Sequence, residues 1–168
     1  MNQYEVAMDD KSKFEALRKS PISSNLEDEQ CLALADLAQP RLLSNDEVLM
    51  EEGHVDNSFH VIVGGLLAVT KETGGGDWLT LHILRPGDLA GELGFIDGRP
   101  HTATLRAVGD TTVLSFERER LEGVLEQHPW MVYRLMQNIV QAVHDIVSRM
   151  NNQYVEMTNY ISKRHGRY

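Results

Sequence analysis

Turn-forming residues interrupt the chain between positions 41 and 117 every few residues, and this spacing limits the fold more than any other feature. Short apolar or alternating segments lie between the turns, and no helical pattern separates them. The alternation is clearest in residues 59–63 and 79–83, as expected for strands with one buried face. Strands of this length and spacing are typical of a small antiparallel barrel or roll. The predicted strands are RLL, EVLM, SFHVIV, LLAVTK, LTLHIL, DLA, ATLRA and TTVLSF.

Helical patterns flank this region on both sides. Residues 11–38 contain two of them, KSKFEALRK and LEDEQCLALADLA, and Pro40 ends the second. Acidic residues at the start of the second pattern favour the positive N-terminal end of a helix. A third helical region runs from Arg118 to Ser162 and breaks at His128–Pro129, because proline fits the first turn of a new helix.

The last helix carries apolar residues at a strict 4,3 spacing, which is the a/d pattern of a coiled coil, with Gln153 as a polar interruption. A helix over residues 129–162 would be about 50 Å long, more than a domain of this size covers. We therefore expect two such helices to pair in a parallel homodimer, and packing against the chain's own roll is the alternative. The predicted dimer interface consists of Val132, Met136, Ile139, Val143, Ile146 and Met150.

Length and composition indicate one domain, with the N-terminal helices and roll in residues 1–128 and the dimerising helix and tail in residues 129–168. The net charge of −9 argues against a nucleic-acid surface. The lone cysteine, Cys31, excludes an internal disulfide and a four-cysteine cluster. Without a long apolar run or a signal-peptide pattern, we expect a cytoplasmic protein without a membrane span. We expect the basic tail to be solvated; it contains Lys163, Arg164, His165 and Arg167.

Residues 91–104 read GELGFIDGRPHTAT and predict a small anion site. The backbone N–H groups of Glu92, Leu93 and Gly94 would begin a short helix, whose positive end attracts a negative charge. Gly91 has no side chain, so a ligand can approach the backbone closely.

Two longer stretches carry a resemblance to a known family. Residues 46–69, DEVLMEEGHVDNSFHVIVGGLLAV, and residues 85–107, RPGDLAGELGFIDGRPHTATLRA, resemble the cyclic-nucleotide-binding domain family, and the likeness extends over about residues 12–160. The resemblance implies the α+β fold class: an antiparallel, jelly-roll-like β-roll with N-terminal helices and a long C-terminal dimerisation helix. The glycines at the family's turn positions are Gly53, Gly65, Gly87 and Gly91.

The resemblance also implies roles for individual residues. The family's glutamate accepts the ribose 2′-hydroxyl group, and Glu92 matches that position. The family's arginine pairs with the cyclic phosphate, but His101 stands there, followed by Thr102 and Ala103. Imidazole is shorter than guanidinium and mostly neutral at pH 7, so the phosphate contact is predicted to be weaker.

A second departure lies on the long helix, where hydroxyl side chains of bacterial members meet the base. Ile146 and Val147 occupy those positions and can pack on a ring but cannot form hydrogen bonds with it. The chain ends at Tyr168 without a pattern for a winged helix-turn-helix, so we expect no direct contact with DNA.

Three functions stay open from the sequence. The first is a regulatory sensor that binds cAMP or cGMP and signals through its C-terminal helix. The second is a protein of the same fold that binds another effector or none and acts as a dimeric interaction module. The third is a haem-type gas sensor, although the seven histidines are scattered and predict no metal site. No arrangement of a nucleophile and a base predicts an enzyme.

Overall fold

The computed structural model describes residues 8–165, with side chains through residue 162, so the side chains of the basic tail lie outside the described part. Its helices are α1 (Asp10–Arg18), α2 (Asp28–Leu37), α3 (Glu92–Asp97), α4 (Arg118–Gly123) and α5 (Pro129–His165). Its strands are β1 (Gln39–Leu43), β2 (Val48–Met50), β3 (Ser58–Glu72), β4 (Trp78–Leu84), β5 (Leu89–Ala90) and β6 (Thr104–Glu117). A 3-10 turn spans Pro21–Ser23.

The six strands form one antiparallel sheet that closes into a roll, and the predicted fold class is confirmed. β3 and β6 are the long central pair, aligned from Ser58 opposite Glu117 to Thr70 opposite Thr104. β1 and β2 pair with β6, while β4 and β5 pair with β3. The roll therefore depends on two long strands that each carry two shorter neighbours.

The prediction of eight short strands was wrong in one respect, because glycine turn signals were interpreted as strand ends. β3 continues through Gly64 and Gly65, and β6 continues through Gly109. The pairing shifts register on either side of Gly64, as in a β-bulge. Gly65 has φ +78°, and a Cβ atom there would lie 2.4 Å from the carbonyl oxygen of Asp110. The glycines bend two continuous strands instead of ending four.

The core has two parts, one on each face of β3. Phe59 and Val61 face the helices, where the ring of Phe59 stacks on that of Phe116 at 4.7 Å. Ile62 faces the interior of the roll with Leu43, Leu67 and other apolar side chains. Alternation along the strand therefore places His60 on the same face as Ile62, inside the roll.

The first three turns of α5 pack on the chain's own core. Met131, Leu135 and Ile139 are at most 1% exposed there, and Val132 and Met136 pack against the same cluster. Ile139 is therefore covered by its own chain, so its assignment to a contact between two chains is corrected. This part of the helix follows the alternative of packing against its own domain.

Beyond Ala142, α5 extends away from the core. Val143 and Ile146 are half-buried, while Met150 is 61% exposed. No helix among residues 8–165 has both the length and the apolar character needed to cross a membrane.

Asn138 fastens α5 to the N-terminal region. Its side chain is buried; Nδ2 donates to the carbonyl oxygen of Ile22 at 2.6 Å and to Oδ1 of Asn25 at 2.7 Å.

We expect Asn138→Leu to lower the free energy of unfolding by about 1–3 kcal/mol, because the Ile22 carbonyl loses its partner. Urea denaturation measures the change, with the exposed neighbour Gln137→Leu as the control. Equal stability of the two variants would contradict this role.

Candidate functional site

The segment from Gly91 to Gly94 leads from β5 into α3. Gly91 has φ +80°, and a Cβ atom there would lie 2.5 Å from Cε of Met50 and 3.0 Å from the carbonyl oxygen of Ser58. The turn therefore requires glycine because atoms of β2 and of the start of β3 lie too close to leave room for a side chain.

The first turn of α3 offers N–H groups at its N-terminal end. The first backbone hydrogen bond of the helix runs from Phe95 N–H to the carbonyl oxygen of Gly91, at 3.0 Å. The N–H groups of the three residues before Phe95 therefore have no carbonyl acceptor within the helix. Those residues are Glu92, Leu93 and Gly94; Leu93 is 53% exposed and the other two are buried. Burial raises the pKa of the Glu92 carboxyl group.

His101 packs its ring inside the molecule. The side chain is 8% exposed, and Nε2 lies 3.0 Å from Oδ2 of Asp56. The main chain of His101 is held on both sides: its N–H donates to the carbonyl oxygen of His54 at 2.8 Å, and its carbonyl accepts from Gly53 N–H at 2.9 Å. The turn before β3 therefore fixes the position of the imidazole.

The ring of His101 also lies against the start of α3. A Cβ atom at Gly94 would lie 2.9 Å from Cε1 and 3.2 Å from Nδ1 of His101. Gly94 belongs to α3 and His101 to the loop that follows it, and the structure brings them into contact. We call residues 91–94 and 101–103 together the cradle.

Thr102 and Ala103 complete the cradle on its outer side. Thr102 is exposed, and its carbonyl oxygen accepts from Nζ of Lys71 at 2.9 Å. Lys71 also pairs with Glu52 at 2.6 Å, so β3 brings a cation to this end of the cradle. Arg99 points to solvent, with its side chain 83% exposed and 3.6 Å from Asp97.

His60 lies inside the roll, next to the cradle. It is 5% exposed, and its Nδ1 lies 2.8 Å from Oγ of Ser115. Burial lowers the pKa of His60 to about 4, against the opposing effect of the Asp56 carboxylate. Residue 60 is therefore a neutral polar group at pH 7.

Sequence reasoning missed Asp56, His60 and Lys71. Asp56 lies among turn-forming residues, where aspartate is common for local reasons, so its type carried no signal. His60 could have been found, because the alternation of β3 aligns it with the buried Ile62.

Arg118 joins the cradle to α4. Its Nη2 donates to the carbonyl oxygens of Gly94, at 3.2 Å, and of Phe95, and its guanidinium carbon lies 5.6 Å from the centre of the Phe95 ring. Its backbone N–H donates to the carbonyl oxygen of Asn57, the neighbour of Asp56, at 2.9 Å. Any shift of α3 therefore acts on the first residue of α4.

Ile146 and Val147, the residues predicted to contact the base, lie outside the part of α5 that packs on the core. Ile146 is seven residues, or about 10 Å, beyond the buried Ile139 along α5. Val147 is 49% exposed. Both follow the last α5 residue that packs on the core, Ala142.

The described residues contain no cluster of three His, Cys, Asp or Glu side chains that could hold a metal ion.

A family model and sequence relatives of this chain point to the same family. A family model described as the cyclic nucleotide-binding domain matches residues 40–128. The chain is 31% identical over 130 residues to a cAMP-dependent protein kinase regulatory subunit of Dictyostelium discoideum, covering 76% of this chain and 40% of that protein. It is 25% identical over 119 residues to the cyclic AMP receptor protein of Thermus thermophilus, covering 71% of this chain and 55% of that protein. The chain thus spans only part of each relative.

Solved structures share the fold. A cyclic nucleotide-binding domain from Methylobacillus flagellatus superposes with a TM-score of 0.74 at 20% identity, covering 90% of this chain and 83% of that one. The regulatory domain of Toxoplasma gondii PKA, crystallised with cAMP, superposes with a TM-score of 0.64 at 20% identity, covering 86% of this chain and 50% of that one.

The buried His60 makes stability depend on pH. Because its pKa is lower in the folded than in the unfolded chain, the unfolded chain binds more protons between pH 6.5 and about 4. The free energy of unfolding should therefore fall as pH decreases through this range, by up to roughly 3 kcal/mol from this group. His60→Gln should reduce this loss, as measured by urea denaturation at pH 7, 5.5 and 4.5. An equally steep decline in His60→Gln would contradict the assignment.

Proposed function

The chain belongs to the cyclic nucleotide-binding domain family, and we propose that it is a regulatory sensor that binds cAMP or cGMP in the cradle. The observation that carries this proposal is the buried ring of His101 against the N-terminal turn of α3. A cyclic phosphate is a small anion, which the N–H groups of Glu92, Leu93 and Gly94 suit on one side and the imidazole of His101 would meet on the other.

The ribose is assigned to Glu92 in this proposal. Its carboxyl group is buried, and its pKa is raised because burial removes water that would solvate the charged form. A ribose 2′-hydroxyl group would donate to that carboxylate and offset part of the desolvation. Thr102 and Ala103 would lie beside the phosphate, at the end of the cradle that Lys71 reaches.

The affinity is expected to be modest. A hydrogen bond to a charged group contributes about 1.5–3 kcal/mol, so a neutral histidine in place of arginine weakens binding by roughly 10- to 150-fold. Ile146 and Val147 lie beyond the part of α5 that packs on the core, so a base would meet them only after α5 moves or from a second chain. Their contribution would be apolar packing.

The signal is proposed to leave through α4 and α5, which we treat as parts of one domain with the roll. Ligand binding can shift a protein only between states that it binds differently. Arg118 contacts α3 directly and begins α4, so a ligand that draws α3 towards His101 would favour one position of α4. The proposed role is regulatory, and no catalytic step is assigned to the chain. The proposed location is the cytoplasm, a reducing compartment in which a free thiol such as the buried Cys31 is common.

A second candidate function follows from the pair of Asp56 and His101. Nε2 of His101 already forms a hydrogen bond with the Asp56 carboxylate, so this nitrogen is less available to a ligand. A domain that binds another effector or none, and works as a dimeric interaction module, is therefore the alternative.

Thermal unfolding tests the ligand. At a cAMP or cGMP concentration ten times its Kd, the Tm should rise by roughly 3–6 °C, because binding stabilises only the folded chain. Glu92→Gln should reduce this shift, whereas the exposed Glu119→Gln should leave it unchanged, and 5′-AMP serves as the acyclic control. Absence of a shift with either nucleotide at millimolar concentration would contradict the sensor proposal.

Homodimer formation through the outer half of α5 is the second proposal to test. Met150→Asp should give a monomer in sedimentation analysis, because it places a charge at an exposed apolar a/d position. The adjacent Asn151→Asp, which lies off the a/d positions, is the matched control and should stay dimeric. A monomeric unmodified chain, or a dimeric Met150→Asp variant, would refute this interface.

A further inference from the structure

We propose that the apolar groove between α3, α4 and α5 is a second small-molecule site, which takes an aliphatic carboxylate of medium chain length. None of the cradle residues lines this groove, and the proposal goes beyond nucleotide binding and does not depend on it. Arg118 and Glu122 are the charged residues of the lining, and six apolar side chains form the rest. The apolar side chains are Phe95, Ile96, Leu121, Leu125, Val132 and Met136.

The groove leads from solvent to the core of the chain. Ile96 and Leu125 are 46% and 47% exposed, whereas Phe95 and Leu121 are at most 5% exposed and belong to the core. The volume of the groove is about 220 Å³. Sites for drug-sized ligands occupy roughly 300–1,000 Å³. The groove therefore suits a smaller molecule whose apolar part is buried.

Arg118 is a half-buried cation in the wall of this groove. Its side-chain hydrogen bonds both leave from Nη2, to the carbonyl oxygens of Gly94 and Phe95. Among the side chains described through residue 162, no carboxylate oxygen lies within 4.0 Å of its guanidinium nitrogens, whereas the nearby Arg120 pairs with Glu117 at 3.8 Å. A guanidinium group has five N–H donors, so those on Nε and Nη1 are available to an acceptor in the groove.

The cation and the apolar walls together determine the class of ligand. A half-buried charge is stabilised by a partner of opposite charge, and a carboxylate supplies one through a charge-assisted hydrogen bond. The six apolar side chains offer no further donor or acceptor, so the rest of the ligand gains affinity by burying hydrocarbon. Arg118 begins α4 and Leu125 follows its last turn, roughly 10 Å further along the chain at 1.5 Å per residue, which favours an elongated ligand.

Glu122 opposes the proposed ligand. It lies one turn after Arg118, lines the same groove and is exposed. Its negative charge repels a carboxylate, so it lowers the affinity of the site without occupying the apolar part.

The groove lies beside the path proposed for the signal. α3 contributes its first residues to the cradle and Phe95 and Ile96 to the groove. Arg118 contacts α3 and begins α4, so a carboxylate bound to Arg118 acts on both helices. The ligand is thus a second effector of the same domain.

An NMR titration of the full chain with octanoate tests the site. Octanoate should bind, and the affinity should fall by roughly tenfold from octanoate to hexanoate and again to butyrate, because each step removes two buried methylene groups. 1-Octanol, which has the chain without the charge, should bind roughly tenfold more weakly than octanoate. Equal affinity for octanoate and 1-octanol would overturn the proposed class of ligand. Absence of octanoate binding at millimolar concentration would overturn the site itself.

Variants of α4 test the charges. Arg118→Gln should weaken octanoate binding by roughly tenfold and leave 1-octanol binding unchanged, because only the contact with the carboxylate is lost. Glu122→Gln should strengthen octanoate binding by roughly threefold, because a like charge is removed. Glu119→Gln, on the same helix but outside the groove, is the matched control and should bind octanoate like the unmodified chain.

A variant of the apolar wall keeps the test decisive if Arg118→Gln displaces α3. Leu125→Ala changes a side chain that is 47% exposed, so the fold should tolerate it. Binding of both octanoate and 1-octanol should weaken by roughly fivefold, because apolar contact is lost. Leu32→Ala removes an equally exposed leucine from α2, outside the groove, and is the matched control. Octanoate binding that is unchanged in Arg118→Gln and in Leu125→Ala would overturn this site, whatever the nucleotide measurements show.

Discussion

The antiparallel pairing of β3 with β6 is the interaction on which the rest of the structure depends. Asp56 lies two residues before β3 and His101 three residues before β6, and the two strands carry His60 and Ser115 as direct partners. The same pair ends where Arg118 begins α4. The His101 side of the cradle and the start of α4 are therefore positioned by this pair of strands, and β5, which pairs with β3, leads into the Gly91–Gly94 side.

Several polar groups are buried in the cradle or beside it. Glu92 and the N–H groups at the start of α3 belong to the cradle, while the half-buried Asp56 and the buried, neutral His60 lie next to it. Burying a charge costs free energy unless a partner compensates it. The imidazole of His101 contacts the Asp56 carboxylate on one side and packs against Gly94 at the start of α3 on the other, so it connects the turn before β3 to α3.

Sequence reasoning succeeded where a local pattern had a single physical cause. The glycine at position 91 and the residues after it predicted the short helix α3. It failed where tertiary packing decided the outcome. Glycines that were interpreted as strand ends lie within the continuous strands β3 and β6. Ile139 fits the a/d spacing of a coiled coil, but its side chain is buried in the core of its own chain. The partnership of Asp56 with His101 joins residues 45 apart, which no local pattern encodes.

The central claim is that residues 91–94 and 101–103 form one anion-binding cradle. Amide chemical-shift mapping by NMR on addition of cAMP or cGMP tests it most directly. We expect the largest shifts at the amides of Glu92, Leu93, Gly94, Thr102 and Ala103, with smaller changes at Arg118. Large shifts elsewhere, with these amides unmoved at saturating nucleotide, would contradict the account.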